Sequence, residues 1–186
     1  MSKAKIKFTY ADYRSLPEVE GRRYELWEGE LVMVPSPDLK HQLVVGNLFE
    51  ALRDRVEKGD LGWVLLSPLD VVLSDEIVLQ PDIVVVLREH AGILDEAGIK
   101  GAPDLVVEVI SPGTAERDRH YKKTLYARHG VREYWIVDPT EKTVEVYMLG
   151  ERGFEPVGRY RGEETLKSSL LPGLEVPLRE IFAELR

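Results

Sequence analysis

The stretch Pro103-Asp104-Leu105-Val106-Val107-Glu108-Val109-Ile110 decides the fold, because its core is apolar on both faces except for one acid, Glu108. Such a run is typical of a strand buried in the middle of a sheet. A carboxylate in that setting loses much of its hydration energy unless a cation or a hydrogen-bond donor replaces the water. Glu108 therefore needs a partner, and that partner indicates the chemistry of the protein.

A second run, Pro81-Asp82-Ile83-Val84-Val85-Val86-Leu87, nearly repeats the pattern with an acid at its head. Pairing of the two strands would bring Asp82 and Glu108 into one oxygen-lined pocket, which suits a hard divalent cation. Asp104 is a poorer partner, because four residues at about 3.3 Å each place it roughly 13 Å from Glu108 on the same strand. One ion with oxygen ligands at about 2.3 Å cannot bridge that distance. We therefore predict Asp82 and Glu108 as the acidic pair, and Asp104 as a cap or turn residue.

Length and composition favour a single domain over residues 1–186. The sequence is 44% hydrophobic and 31% charged, which excludes a disordered or collagen-like chain. It contains no cysteine, which excludes disulfides and thiolate metal sites. We see no apolar stretch long enough for a signal peptide or a membrane span. The expectation is a soluble cytoplasmic protein.

The net charge of −8 opposes unspecific binding to nucleic acid, which relies on basic surface. The charge is uneven, however, because residues 117–132 contain six Lys or Arg against one acid, Asp118. A positive surface beside an acidic pocket is compatible with this distribution. A basic stretch of this kind is usually just a solvated helix face.

Hydrophobic periodicity and turn signals predict a mixed α/β order along the chain. A capping box at Thr9 and Asp12 opens a short helix, and a long helix begins at Ser36-Pro37-Asp38 and runs to about Lys58. At about 100° per residue, the core face of the long helix is His41, Val44, Val45, Leu48, Leu52 and Val56.

Further along the chain, a helix from about Ala115 to His129 is ended by Gly130. The polar residues 88–101 are expected to form a surface excursion. Besides the two acid-bearing strands, the predicted strands are Tyr24–Trp27 and Glu30–Val34 as a hairpin, then Trp63–Leu66, Leu69–Leu73, Glu133–Val137, Thr143–Met148 and Phe154–Tyr160. A short C-terminal helix is predicted around Leu178, Ile181, Phe182 and Leu185.

The helix that follows Glu108 supplies a third candidate, Lys122. With Asp118 set at 0°, Lys122 lies at roughly 40° on the core-facing side, near Tyr126 at roughly 80°. Lys123 lies at roughly 140°, on the solvent side. An inward ammonium beside two metal-binding carboxylates suits phosphodiester hydrolysis. It can orient or help to deprotonate the attacking water, and it can stabilise charge on the phosphate.

Several motifs together resemble the Uma-two (Uma2) family, assigned as restriction endonucleases of the PD-(D/E)XK nuclease superfamily, and they extend from about Tyr10 to Phe182. These motifs are Tyr24-Glu25-Leu26, Gly29-Glu30-Leu31, His41, Gln80-Pro81-Asp82, Gly101-Ala102 followed by Pro103 to Ile110 and Ser111-Pro112, Arg117-Asp118, Lys122, Tyr126, and Gly130-Val131-Arg132-Glu133-Tyr134-Trp135-Ile136-Val137-Asp138-Pro139.

The resemblance implies an α/β fold with a restriction-endonuclease-like core, in which a mixed central sheet is flanked by helices, with an N-terminal hairpin and extra C-terminal strands. It also implies Mg²⁺-dependent cleavage of DNA, with Mn²⁺ as a substitute, by a homodimer. The superfamily pattern is Asp on one strand and Glu-x-Lys on the next. Asp82 and Glu108 match its acids, but Ile110 stands at the lysine position, so Lys122 must substitute from the helix.

Asp82 and Glu108 are thus the expected metal ligands and, with Lys122, the expected catalytic residues. The backbone carbonyl of Val109 is a further candidate ligand, and Glu25 a candidate for the metal shell. The remaining supporting residues are His41, Gln80, Asp118 and Tyr126.

Each candidate also has a plain structural interpretation. Glu108 and Lys122 can form a salt bridge in the core without any chemistry. His41 is more simply a helix-start histidine satisfied by a neighbour, and Tyr126 a core residue. Glu25 is more simply half of a cross-strand pair with an arginine such as Arg23.

The leading functional hypothesis is a metal-dependent DNA endonuclease. The alternative is a nuclease fold that no longer cuts and serves as a binding or regulatory module, which the acidic net charge and Ile110 favour. A third hypothesis is a metallohydrolase for small phosphoesters, which needs no DNA groove.

Overall fold

The main sheet is mixed and contains the strand that carries Glu108. The computed structural model describes residues 6–17, 22–111 and 117–183, with the backbone alone for residues 117 and 118. The strands of this sheet are β3 (Gly62–Leu66), β6 (Ile83–Leu87), β9 (Leu105–Val109), β10 (Glu133–Asp138), β11 (Thr143–Gly150) and β12 (Gly153–Arg161). Their order is β12-β11-β10-β9-β6-β3. Strands β9 and β10 are parallel, and the other neighbours in this sheet are antiparallel.

A second, smaller sheet packs beside the first. Its strands are β1 (Arg23–Trp27), β2 (Glu30–Val34), β4 (Val71–Ser74), β5 (Ile77–Leu79), β7 (Leu94–Asp95) and β8 (Gly98–Lys100). They follow the order β2-β1-β5-β4-β8-β7. Glu28 and Gly29 form a two-residue turn between β1 and β2, and both have positive φ, which is the backbone of a hairpin turn that matches strand twist. A separate pair joins β13 (Thr165–Lys167) to β14 (Glu175–Pro177).

The helices are α1 (Tyr10–Arg14), α2 (Leu39–Val56), α3 (Lys123–Arg128) and α4 (Leu178–Ile181). A 3-10 helix covers Arg88–Ile93, and a π-helix covers Arg117–Lys122 and leads directly into α3. Among the described residues, no helix combines the length and apolar character that crossing a membrane requires.

The main sheet lies between two hydrophobic clusters, since alternate residues of each strand point to opposite faces. On β9, Leu105, Val107 and Val109 join one cluster together with α2 and the C-terminal elements. Val106 and Ile110 join the other cluster, with α3 and the smaller sheet. Glu108 shares the face of Val106 and Ile110 by the same alternation, so its carboxylate lies between the main sheet, α3 and the smaller sheet.

Much of the predicted order is confirmed. The capping box of Thr9 and Asp12 is present, and the hairpin has the expected strands. The buried face of α2 consists of the six residues predicted from periodicity. The cap of α2 is Asp38, which accepts a hydrogen bond from the backbone N–H of His41, whereas the sequence suggested a start at Ser36.

Two expectations need correction. Residues 88–101 are not simply a surface excursion, because β7 and β8 join the smaller sheet and Ile99 is fully buried. The helix expected from Ala115 to His129 is not uniformly α-helical, because its first described turn, Arg117–Lys122, is π-helical. Gly130 follows the helix with a φ of 91°, as a C-terminal glycine should.

Candidate active site

The two predicted acids lie at the same end of adjacent strands. Strands β6 and β9 are antiparallel, with Ile83 opposite Val107. Continuing this register by one residue sets Asp82 opposite Glu108, and directly opposite residues of an antiparallel pair point to the same face. Both acids line one cavity of about 220 Å³. The pairing that the sequence predicted is therefore present.

The carboxylate of Asp82 is held by two donors and remains partly open. Its Oδ2 accepts the backbone N–H of Val109 at 2.7 Å and lies 3.2 Å from Nε2 of His41. The side chain is 18% exposed, more than any other charged group of the cluster. Burial alone would lower the pKa of His41, but the hydrogen bond and charge of Asp82, with the charge of Asp38, raise that pKa above its ordinary value. Nε2 of His41 thus has a site acid as its partner, as the plain interpretation expected, whereas its buried Nδ1 has no hydrogen-bond partner among the described residues.

Lys122 points into the site, as the helical wheel predicted. Its Nζ donates to Oε1 of Glu108 at 3.0 Å and to Oε1 of Glu25 at 3.0 Å. All three side chains are buried, with at most 7% of any of them exposed. An amine fixed between two carboxylates in a buried cluster is stabilised as the ammonium. Lys122 is therefore a cationic hydrogen-bond donor in this arrangement.

Tyr126 provides the second donor to Glu108. Its hydroxyl lies 2.7 Å from the same Oε1 that Lys122 contacts. Burial, followed by the charge of Glu108, raises the pKa of Tyr126 well above its usual value. The phenol stays neutral and donates. Tyr126 is a core residue with a satisfied hydroxyl, and it also fixes the orientation of the Glu108 carboxylate.

Glu25 enters the site from the smaller sheet. Its Oε1 accepts from Lys122 and from the backbone N–H of Gln80 at 2.8 Å, and its Oε2 accepts from Nε1 of Trp27 at 2.8 Å. The simple alternative, a pair with Arg23, is wrong, because Arg23 donates to the hydroxyl of Ser67. Glu25 therefore belongs to the buried ion pair of the site.

Gln80 lies behind Glu25 and joins it to a polar network. Its amide nitrogen donates to Asp70 at 2.9 Å and to the hydroxyl of Tyr13 at 3.3 Å. Tyr13 also donates to Asp70 at 2.9 Å. The side-chain oxygen of Gln80 is buried and has no hydrogen-bond donor among the described residues. Gln80 is also one of the residues that line the cavity.

The ligands that the cavity offers fit Mg²⁺ better than a metal ion whose whole coordination shell comes from protein side chains. The described part of the chain contains no group of three or more His, Asp or Glu arranged for a metal. Mg²⁺ in enzymes is commonly bound by one or two carboxylates, with waters and substrate phosphates completing the shell. Asp82 and Glu108 supply such a pair, and the cavity adds neutral oxygens. The residues present therefore fit Mg²⁺ in a site that substrate helps to complete.

Other candidates lie apart or outside the described side chains. Asp104, in the bend just before β9 at its opposite end, accepts the backbone N–H of Leu87 at 2.7 Å and contacts His90 and Arg132, so it lies apart from the site. Asp118 lies in the π-helix, but its side chain is outside the described residues. Lys123 is not simply solvent-facing, because its ammonium lies 3.4 Å from the ring centroid of Tyr147.

The basic stretch is largely neutralised where it is described. Its arginines pair with acids of neighbouring elements: Arg119 with Asp138 and Glu145, Arg128 with Glu28, and Arg132 with Glu89 and Asp104. The stretch is therefore ion-paired with neighbouring elements, rather than only the solvated helix face that its plain interpretation expected.

Sequence reasoning missed two aromatic residues that support Glu25 and the segment that carries Lys122. Trp27 holds Glu25 through its indole N–H and stacks on Tyr121 with ring centroids 4.8 Å apart. The signal was present as Glu25-Leu26-Trp27, because residues two apart on a strand point to the same face. Tyr121 directly precedes Lys122 in the chain.

Comparison with known proteins bears on the fold and the family of the chain. The crystal structure of a putative nuclease belonging to DUF820 from Anabaena variabilis ATCC 29413 superposes with a TM-score of 0.78. The two chains are 23% identical, and the match covers 95% of this chain and 98% of the other, so they share a fold. No curated protein matches the chain. The model of the Uma2 family, described as "Putative restriction endonuclease", matches residues 10–179. The chain therefore belongs to the Uma2 family, whose description supports a nuclease function.

Proposed function

We propose that the protein is a metal-dependent endonuclease that hydrolyses phosphodiester bonds of DNA. The observation that carries the proposal is the convergence of Asp82, Glu108 and Lys122 on one cavity, with the two acids from paired strands and the ammonium from the next helix. Two acids with an inward lysine are groups that metal-assisted phosphoryl chemistry can use. Membership in the Uma2 family supports the same reaction class.

Each residue has a role that follows from its contacts. Asp82 and Glu108 would hold Mg²⁺, with the carbonyl of Val109 as a further candidate ligand, and the ion would supply Lewis acidity and a lowered pKa of its water. Lys122, as an ammonium, donates to the phosphate oxygens and stabilises the charge that develops on them. Tyr126 keeps Glu108 oriented, and His41 with the Val109 N–H keeps Asp82 oriented. The oxygen of a water molecule would bond to phosphorus as the bridging P–O bond breaks, and the proton lost by that water would pass through solvent to the leaving oxygen.

Plasmid cleavage tests the proposal. The protein should nick supercoiled DNA with Mg²⁺ or Mn²⁺ and not with EDTA, and Glu108→Ala should lower the rate by at least about a hundredfold, because it removes an acid of the metal pair. Glu89→Ala is the control, since Glu89 is exposed and lies at the opposite end of the sheet. Equal nicking by the wild type and Glu108→Ala would contradict the assignment.

A homodimer belongs to the same proposal, because two cavities on one duplex allow both strands to be cut. Linear product formed together with nicked product, and a solution mass of twice 21.2 kDa by light scattering, are the expected results. Persistent nicking by a monomer would restrict the proposal to single-strand cleavage.

The second candidate function is a binding or regulatory module with a retired site. Ile110 at the usual lysine position favours it, as does the ion pairing of the basic stretch. Calorimetry with Mn²⁺ separates the two candidates. If the site is active, the wild type should bind Mn²⁺ and Asp82→Asn should not. If the site is retired, neither protein should show heat of binding.

A further inference from the structure

We propose that Glu25 is a positioning residue for Lys122, which fixes the ammonium at Glu108 and makes the smaller sheet a part of the active site. The inference rests on the proposed nuclease function and deepens it. Glu25 lies on β1, in a different sheet from Glu108 and the strand that follows Asp82. Its contacts are to a cation and to two N–H groups, which makes it a partner of Lys122 rather than a metal ligand.

The hydrogen-bond pattern at Glu25 requires a carboxylate. Three donors converge on its two oxygens: the Lys122 ammonium and the Gln80 N–H on Oε1, and the Trp27 indole on Oε2. A carboxylate is an acceptor at both oxygens, whereas a glutamine presents an NH₂ group on one side. The NH₂ group of a glutamine would therefore face either the indole N–H of Trp27 or the Lys122 ammonium and the Gln80 N–H. In both orientations a donor would face a donor.

The hairpin of β1 and β2 makes further contacts with the helix that carries Lys122. Trp27 stacks on Tyr121, and the hydroxyl of Tyr121 donates to Glu28 at 2.8 Å. Arg128 also donates to Glu28, at 2.9 Å. Among these contacts, the one from Glu25 reaches the reactive end of the lysine. The hairpin thus positions the helix, and Glu25 positions the ammonium.

Glu25 and Glu108 hold the ammonium for different reasons. Glu108 faces Asp82 in the acidic pair, so its contact with Lys122 depends on whether the pair binds a metal ion. Glu25 lies outside the pair, so in this proposal it keeps the ammonium in place with or without the ion. Among the described side chains, the other titratable groups near Lys122 are Tyr126, which reaches it through Glu108, and Arg23, Asp38, His41 and Asp82, which line the same cavity.

A second glutamate provides a matched control. Glu133 also accepts an indole N–H from two residues further along its strand, Trp135 at 2.6 Å, and a backbone N–H from a distant segment, Leu170 at 3.0 Å. It is fully buried like Glu25. Glu133 shares the face of Trp135, on the other side of the main sheet from Glu108. Glu133→Gln therefore reproduces the structural damage of Glu25→Gln without touching Lys122.

The experiment compares Glu25→Gln, Glu25→Asp and Glu133→Gln in the full chain. For metal-dependent DNA cleavage, Glu25→Gln should lower kcat at least about tenfold with KM nearly unchanged. The alkaline limb of its pH–rate profile should move to lower pH, because removal of an anion disfavours the ammonium. Glu25→Asp keeps the charge, so its limb should return toward that of the wild type. Glu133→Gln should lower the melting temperature but leave the alkaline limb of the pH–rate profile at the same pH as in the wild type.

A readout without cleavage accompanies the rates. In protein labelled with ¹³C-lysine, the Lys122 signal is identified by its loss in Lys122→Arg and followed against pH. Its titration should occur at lower pH in Glu25→Gln than in the wild type or Glu133→Gln. If the Lys122 titrations of the wild type and Glu25→Gln coincide, the inference is overturned and the proposed function stands. The same holds if the wild type cleaves DNA but Glu25→Gln and Glu133→Gln have equal pH profiles. A wild type without metal-dependent cleavage would overturn the proposed function and this role with it.

Discussion

At the scale of single residues, Lys122 balances the charge of two buried carboxylates. Lys122→Met keeps the length of the side chain but leaves Glu25 and Glu108 without their shared cation. Removing one partner of a buried ion pair typically costs about 3–5 kcal/mol of unfolding free energy, because the remaining charge is uncompensated. We expect a loss of this size in urea unfolding at pH 7.

The control for this prediction is Lys100→Met, which removes an exposed lysine paired with Asp95. A surface pair of this kind contributes about 1 kcal/mol or less. If Lys122→Met proved as stable as Lys100→Met, the buried pair would not hold the charges assigned to it.

The sequence predicted the acids and the inward lysine because each obeys a simple local rule. Alternation placed Glu108 in a buried strand, strand pairing brought Asp82 to it, and the helical wheel turned Lys122 inward. Glu25 had no such rule, because its partners Gln80 and Lys122 are distant in sequence and come together only when the sheets pack. Its role therefore required the three-dimensional structure.

At the scale of elements, the π-helical turn Arg117–Lys122 is tied to the main sheet by Arg119. Arg119 donates to Glu145 at 2.6 Å on β11 and to Asp138 at 3.3 Å on β10. π-helical turns occur frequently at functional sites, and this one ends at Lys122. The ion pair therefore fixes the segment from which the lysine projects.

Glu145→Gln tests this attachment through its pH dependence. Burial alone would raise the pKa of Glu145, but the hydroxyl of Tyr147 and the guanidinium of Arg119 lower it below its ordinary value. A carboxylate with a lowered pKa stabilises the fold above its unfolded pKa of about 4.3, and this contribution is lost as pH falls through the folded pKa. Urea unfolding should show a loss of about 1 kcal/mol at pH 7, since the pair is partly solvated. The loss should shrink toward pH 3.

Glu151→Gln, on the exposed turn between β11 and β12, is the control and should leave stability nearly unchanged at both pH values. A loss in Glu145→Gln that is equal at pH 7 and pH 3 would show that packing, not charge, is responsible.

The predictability of the elements followed their regularity. The six-residue core face of α2 could be predicted because one amphipathic period extends over its whole length. The π-helical turn could not, because the helical wheel assumes about 100° per residue. The short strands β5, β13 and β14 were also missed, because three residues contain too little alternation to distinguish a strand from a loop.

At the scale of the whole molecule, the two sheets meet at the site through a very short connection. Strand β5 of the smaller sheet ends at Leu79, and β6 of the main sheet begins at Ile83. Gln80 and Asp82, the polar residues of this link, contact Glu25 and His41 respectively. We therefore propose that the two sheets unfold as one unit.

The three tryptophans report on the two sheets separately. Trp27 lies in the smaller sheet, and Trp63 and Trp135 lie in the main sheet. In urea, the fluorescence of Trp27 in a Trp63→Phe/Trp135→Phe variant should follow the far-UV circular dichroism, and so should the fluorescence of Trp27→Phe. Coincident transitions are the mark of two-state unfolding. A Trp27 transition at lower urea than the circular dichroism would show that the smaller sheet unfolds independently.

The burial of Ile110 has an evolutionary consequence. Its side chain is 4% exposed and packs among apolar neighbours on the face that also bears Glu108. An evolutionary intermediate with lysine at this position would place an ammonium among apolar side chains while Lys122 still occupied the carboxylates. The intermediate would fold poorly, so selection would remove it before a second mutation could compensate. Chains that descend from a protein with the helical lysine should therefore keep an apolar residue at the position of Ile110.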